Sequence, residues 1–65
     1  MRDLKVEGAK IIYFRKIKGI SQKSLAAQIG ISRQYLSKIE NGLIECDKEI
    51  LKKILSILEI SRLGE

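Results

Sequence analysis

The sequence has no proline, no histidine and no tryptophan, and it carries one cysteine and three other aromatic residues in 65 positions. Each scarcity excludes something. A single Cys46 cannot close an internal disulfide, and without histidine or paired cysteines most routes to metal binding and to acid–base catalysis near neutral pH are closed. No apolar run approaches the ~18 residues that a membrane span requires, and the N-terminus does not read as a signal peptide. The expectation is a cytoplasmic protein of a reducing compartment that is not an enzyme, with no cofactor, no metal and no membrane partner. At this length only ~60% of the unfolded surface can be buried, so the core is modest.

Basic charge is abundant and unevenly placed. The chain holds thirteen Lys/Arg against eight Asp/Glu, a net +5. Residues 1–42 hold nine cations against three acids (+6), and residues 43–65 four against five (−1). A basic N-terminal two-thirds suits attraction to phosphate, where a uniform solubility charge would be spread evenly.

Residues 22–41, QKSLAAQIGISRQYLSKIEN, organise the rest. Two short helical patterns each follow a serine, and Ser21 and Ser32 can accept the otherwise unpaired N–H groups of the helices they precede. Gly30 stands where a left-handed residue stops the first helix cheaply. Leu25, Ala26, Ile29, Ile31, Leu36 and Ile39 are apolar, and the small Ala26 lets two short helices cross closely. This is the pattern of a helix-turn-helix. Unrolled at roughly 100° per residue, the second helix places Arg33, Ser37, Asn41, Gln34 and Lys38 on an arc of roughly 140°. Tyr35, Ile39 and Leu36 occupy the other side. One face is thus core, while the other carries side chains able to reach base edges and phosphates. A solvated polar face is the plainer explanation, but Arg33 in the first turn opposes the helix dipole, at a cost of ~0.3–1 kcal/mol, and so points towards an anionic partner.

The segment KGISQKSLAAQIGISRQYLSKIENG resembles the Cro/lambda-repressor-like, or Xre, family of helix-turn-helix DNA-binding domains. The resemblance extends from about Gly8 to Ile60 and is carried by SQKSLA, the Gly30 turn and IENG. It implies an all-α domain of four compact helices, with a short fifth one beginning at Ser61. It also implies a sequence-specific regulator of transcription, a repressor, whose second motif helix lies in the major groove. Carried over by position, Arg33, Gln34, Ser37 and Lys38 contact bases. Gln22, Lys23, Ser32 and Asn41 hold phosphates, and Arg15 pairs with Glu40 as a structural ion pair. The implied partner is a pseudo-palindromic double-stranded operator bound by a weak or DNA-dependent homodimer. The loop GLIEC departs from the better-known phage repressors, because Glu45 and Asp47 stand where some of those carry cations that grip the backbone.

Along the chain, Met1–Lys5 reads as a frayed start and the helices as about 6–18, 22–29, 33–41 and 48–58, in one domain spanning residues 1–65. Gly19 ends the first helix and Asp47 caps the fourth. Ile11, Phe14, Leu25, Ile29, Leu36, Ile39, Ile54 and Leu58 should form one core, with Cys46 as a small side chain buried in it or half-buried beside it. Tyr13 and Ile17 touch each other and point away from Ile11 and Phe14. Either Leu4 and Val6 in the N-terminal tail fold over them, or they stay exposed as single apolar residues commonly do, or they meet another surface. Ile50 and Ile57 widen the apolar face of the fourth helix beyond what a surface helix needs and mark an edge for self-association. Tyr13, Ile17, Ile50 and Ile57 also motivate the competing reading, a helix-turn-helix bundle retained as a protein-interaction module, such as a regulator or antitoxin docking domain. The chain either stands alone as a minimal protein or forms the N-terminal part of a longer regulator.

Overall fold

The structure is a computed structural model and describes residues 3–58; the anticipated fifth helix and its Ser61 cap lie outside them. Four helices follow one another without strands among the described residues: α1 Leu4–Ile17, α2 Gln22–Ile29, α3 Arg33–Glu40 and α4 Lys48–Leu58. The caps sit where their chemistry required. Ser21 and Ser32 are extended at the backbone, and their hydroxyls accept from Ser24 N–H and Tyr35 N–H at 3.0 Å each. Asp47 accepts from Glu49 N–H at 2.9 Å and so opens α4. Gly30 takes φ +90°, and the N–H groups of Gly30 and Ile31 both return to the Ala26 carbonyl.

The start of α1 differs from the sequence expectation. Residues 4 and 5 are helical rather than frayed, because the Asp3 carboxylate accepts from Lys5 N–H and Val6 N–H and caps the helix two residues early. An aspartate ahead of an apolar residue is a legitimate cap signal, masked here by the mixed charge around it. The tail therefore does not fold over Tyr13 and Ile17: Leu4 turns inward to line a small cleft with Gly8, Ile11 and Ile39, while Val6 stays exposed.

Ile11, Leu25, Leu36, Ile54 and Leu58 are fully buried and come from all four helices, with Ala26, Ile29, Ile39 and Cys46 filling between them. Each large side chain contributes about 1.5–3 kcal/mol by leaving water. Phe14 is half-buried against this cluster, not inside it, alongside Ile20, Ile31 and Tyr35. Ile50 and Ile57 also pack on the core and are half-buried, so α4 offers less free apolar edge than its sequence suggests.

Two glycines bring α1 onto the end of α3. A Cβ on Gly8 would overlap the backbone carbonyl of Glu40 and come within 2.6 Å of that of Ile39. Gly42, at φ +71°, ends α3 and would place a Cβ 2.7 Å from the Lys5 backbone. Its N–H bonds the Ile39 carbonyl and that of Leu43 bonds the Lys38 carbonyl, the double closure that a left-handed C-terminal residue permits. The sequence reading assigned no role to Gly8. The available signal was its cost, since glycine inside a helix loses about 1 kcal/mol against alanine unless close packing requires it.

Candidate nucleic-acid interface

Everything on the outer face of α3 depends on how that helix is anchored from behind. Arg15 on α1 donates from Nε to Glu40 Oε2 at 2.9 Å and from Nη2 to Glu40 Oε1 at 3.3 Å, and its Nη1 donates to the Ile20 carbonyl at 3.1 Å. The side chains are 12% and 2% exposed. Two charges this deep are stable only with their remaining hydrogen-bonding capacity used. That condition is met, because the described residues contain no buried side-chain nitrogen or oxygen without a partner.

Gln22 completes the arrangement and extends it to the surface. Its Nε2 donates to Glu40 Oε1 at 3.0 Å, while its Oε1 accepts from Arg33 Nε at 3.2 Å. A continuous path of hydrogen bonds thus runs from the buried Arg15 through Glu40 and Gln22 to the exposed guanidinium of Arg33. The sequence reading placed Gln22 at a phosphate-holding position. Nothing in the spacing alone indicated that its amide would be shared between the buried pair and Arg33.

Gln22, Arg33, Gln34, Ser37 and Lys38 line one open depression of about 410 Å³ where the N-terminus of α2 meets the outer face of α3. All four residues assigned to bases are therefore together, with Gln22 at their edge. Gln34 and Lys38 are exposed and Ser37 half-exposed. The phosphate candidates are placed more loosely. Lys23 is exposed in the first turn of α2. The Ser32 hydroxyl is occupied as a cap, and the Asn41 amide donates back to the Ser37 carbonyl at 2.9 Å and the Ser37 hydroxyl at 3.3 Å. Leu43, just past α3, is 68% exposed and was not singled out from the sequence.

A helix-turn-helix family model, HTH_3, matches residues 11–63. The chain belongs to the lambda-repressor-like (Xre) family of helix-turn-helix DNA-binding domains. This is a family of regulators, not of enzymes. The HTH-type transcriptional regulator SlrR of Bacillus subtilis (strain 168) is 43% identical over 54 residues, covering 82% of this chain and 36% of SlrR. The control protein C.MunI of a Mycoplasma species is 43% identical over 63 residues, covering 94% of this chain and 85% of that protein. Among solved structures, the restriction-modification controller protein C.AhdI of Aeromonas hydrophila superposes with a TM-score of 0.84 at 30% identity, covering 91% of this chain and 89% of C.AhdI. The chain thus spans about a third of SlrR but most of each controller protein. Within the family frame, α2 and α3 are the motif, and the family match begins at Ile11, leaving the first turns of α1 outside it. No described helix is long and apolar enough to cross a membrane.

Proposed function

We propose that the chain is a sequence-specific double-stranded DNA-binding module that represses transcription by occupying its operator. The observation that carries this reading is the single depression into which Arg33, Gln34, Ser37 and Lys38 converge on the solvent face of α3. An α-helix with its side chains is about 10–12 Å across, comparable to the ~12 Å width of the major groove, so the eight-residue α3 can lie within it. Arg33 or Lys38 would favour guanine O6 and N7, and Gln34 adenine N6 and N7. The N-termini of α2 and α3 turn N–H groups and positive dipole ends towards the backbone, with Gln22, Lys23 and Ser32 there to take phosphates and Asn41 at the far end. Asn41 would first exchange its bonds to Ser37 for one to DNA. Arg15 and Glu40 stay inside and set the angle of α3.

One such helix reads a few base pairs, so an operator of useful length needs two copies on half-sites about one helical turn apart. The likeness to SlrR and to two controller proteins supports this reading. Selection of bound sites from a random duplex library tests it, together with titration of unselected duplex at rising salt. The expected result is enrichment of a paired motif and non-specific binding near the micromolar range that weakens steeply with salt. Absence of both would leave the protein-interaction reading in its place.

A further inference from the structure

Gln22 stands between a group that can only accept hydrogen bonds and one that can only donate them. Glu40 is a buried carboxylate already tied to Arg15, and the Arg33 guanidinium has N–H groups but no lone pair to offer. The Gln22 amide meets both, with Nε2 donating to Glu40 Oε1 at 3.0 Å and Oε1 accepting from Arg33 Nε at 3.2 Å. Turned over about its last torsion, the amide would set its carbonyl against the carboxylate and its NH2 against the guanidinium, and both contacts would repel. One orientation alone satisfies both neighbours. The buried ion pair thus fixes the half-buried Gln22, and through it a side chain at the surface.

The edge of Arg33 that Gln22 occupies decides which edge remains. With Nε engaged, Nη1 and Nη2 form the fork left to face a partner, and its spacing matches the paired acceptors O6 and N7 of guanine. Adenine offers N7 beside an amino donor, cytosine an amino donor, and thymine one acceptor beside a methyl group. On the reading that this face binds DNA, we propose that Gln22, anchored by Glu40, is a positioning residue for base identity: it holds Arg33 to read guanine at one position of the half-site. Lys38, a point charge on a flexible stem, carries no such geometric demand. The second hydrogen of the Gln22 amide remains for the phosphate expected at the start of α2, so the two roles use different atoms.

Positioning has a signature that a backbone contact lacks. A guanidinium already held in place loses less freedom on meeting the base than one that must first be ordered. That gain is realised only where the fork finds two acceptors on a base. A phosphate also accepts such a fork, but Gln22 would then matter equally for every sequence.

The test measures a ratio. Sites are selected from random duplexes with the native chain, and each base pair of the selected half-site is then replaced in turn. At one pair, Arg33→Ala should abolish a guanine preference of roughly tenfold or more. At that pair Gln22→Met, which keeps the length of the side chain and drops both hydrogen bonds, should lower the preference at least about threefold. Gln22→Glu, which keeps an acceptor for Arg33 but turns a carboxylate to Glu40, should lower it as well. In the Arg33→Ala background neither substitution should change the ratio. Partial unfolding and a lost phosphate contact weaken every duplex alike and cancel. A preference unchanged in Gln22→Met overturns the proposal, and so does one retained in Gln22→Glu, which would leave Glu40 without a part in it. Loss of preference for a base other than guanine in Arg33→Ala overturns it too. The DNA reading survives all three results. Failure of the native chain to select any duplex would instead overturn the DNA reading, and this inference with it.

Discussion

Glu40 accepts three hydrogen bonds, two from Arg15 and one from Gln22, while its side chain is 2% exposed. Removing either member of the Arg15–Glu40 pair strands a charge away from water and should destabilise by ~3–5 kcal/mol. Arg15→Met with Glu40→Leu should recover much of that loss, leaving the Gln22 amide and the Ile20 carbonyl to find water at the edge of the site. Thermal unfolding of the three variants checks this, and an unchanged melting temperature in Glu40→Ala would contradict the burial. Gln22 has a different role, steadying Arg33 through its side-chain carbonyl. Gln22→Ala and Arg33→Ala should therefore weaken binding to a selected duplex less than additively. Full additivity would show that Gln22 does not position the guanidinium. Arg33→Ala should also cost ~1–3 kcal/mol on the selected site and relax preference at one base pair, whereas Lys23→Ala should weaken all duplexes alike and flatten the salt slope by about one unit. Equal loss on selected and random DNA in Arg33→Ala would make Arg33 a phosphate contact.

At the scale of elements, the crossing of α1 on the end of α3 is set by what is missing from Gly8. A methyl group there would overlap the last carbonyls of α3, and both partners are backbone, which cannot rotate away. Gly8→Ala should thus destabilise by roughly 1–3 kcal/mol, despite the better helix propensity of alanine. For a domain of this size each 1 kcal/mol lowers the melting temperature by about 4–8 °C. The comparison with Ala9→Gly, an exposed position on the same helix, isolates the cause: there the loss should stay near the ~1 kcal/mol of propensity. Equal effects at the two positions would mean that α1 approaches α3 less closely. The same displacement would reach α3 as a whole, so Gly8→Ala should also weaken DNA binding without touching a single contact residue.

At the scale of the whole molecule, the DNA-facing depression and the exposed apolar side chains of α1 lie on different elements. Arg33 and Lys38 lie on the outer face of α3 with Lys23 in the first turn of α2, while Val6, Tyr13 and Ile17 are exposed on α1. Non-specific DNA affinity should accordingly fall steeply with salt and change little in Tyr13→Glu. Fluorescence titrations at two ionic strengths check this. A large loss of DNA affinity in Tyr13→Glu would bring the outer face of α1 into the DNA contact.

Local chemistry made much of this molecule legible. Serines ahead of α2 and α3, Asp47 ahead of α4 and Gly30 between the motif helices act within a few residues of themselves, so their effects are written in order along the chain. Periodicity likewise separated the core side of α3 from its polar side, because a helix fixes directions at about 100° per residue. The Arg15–Glu40 pair came from family resemblance and not from spacing, since 25 positions separate the two residues. Tertiary packing alone decided three further points. Gly8 matters through carbonyls more than thirty residues away, Gln22 through its place between a buried carboxylate and a surface guanidinium, and the apolar edge left uncovered lies on α1 instead of α4. The apolar residues of both helices look alike in sequence; which of them stay in water depends on how much of each helix its neighbours cover.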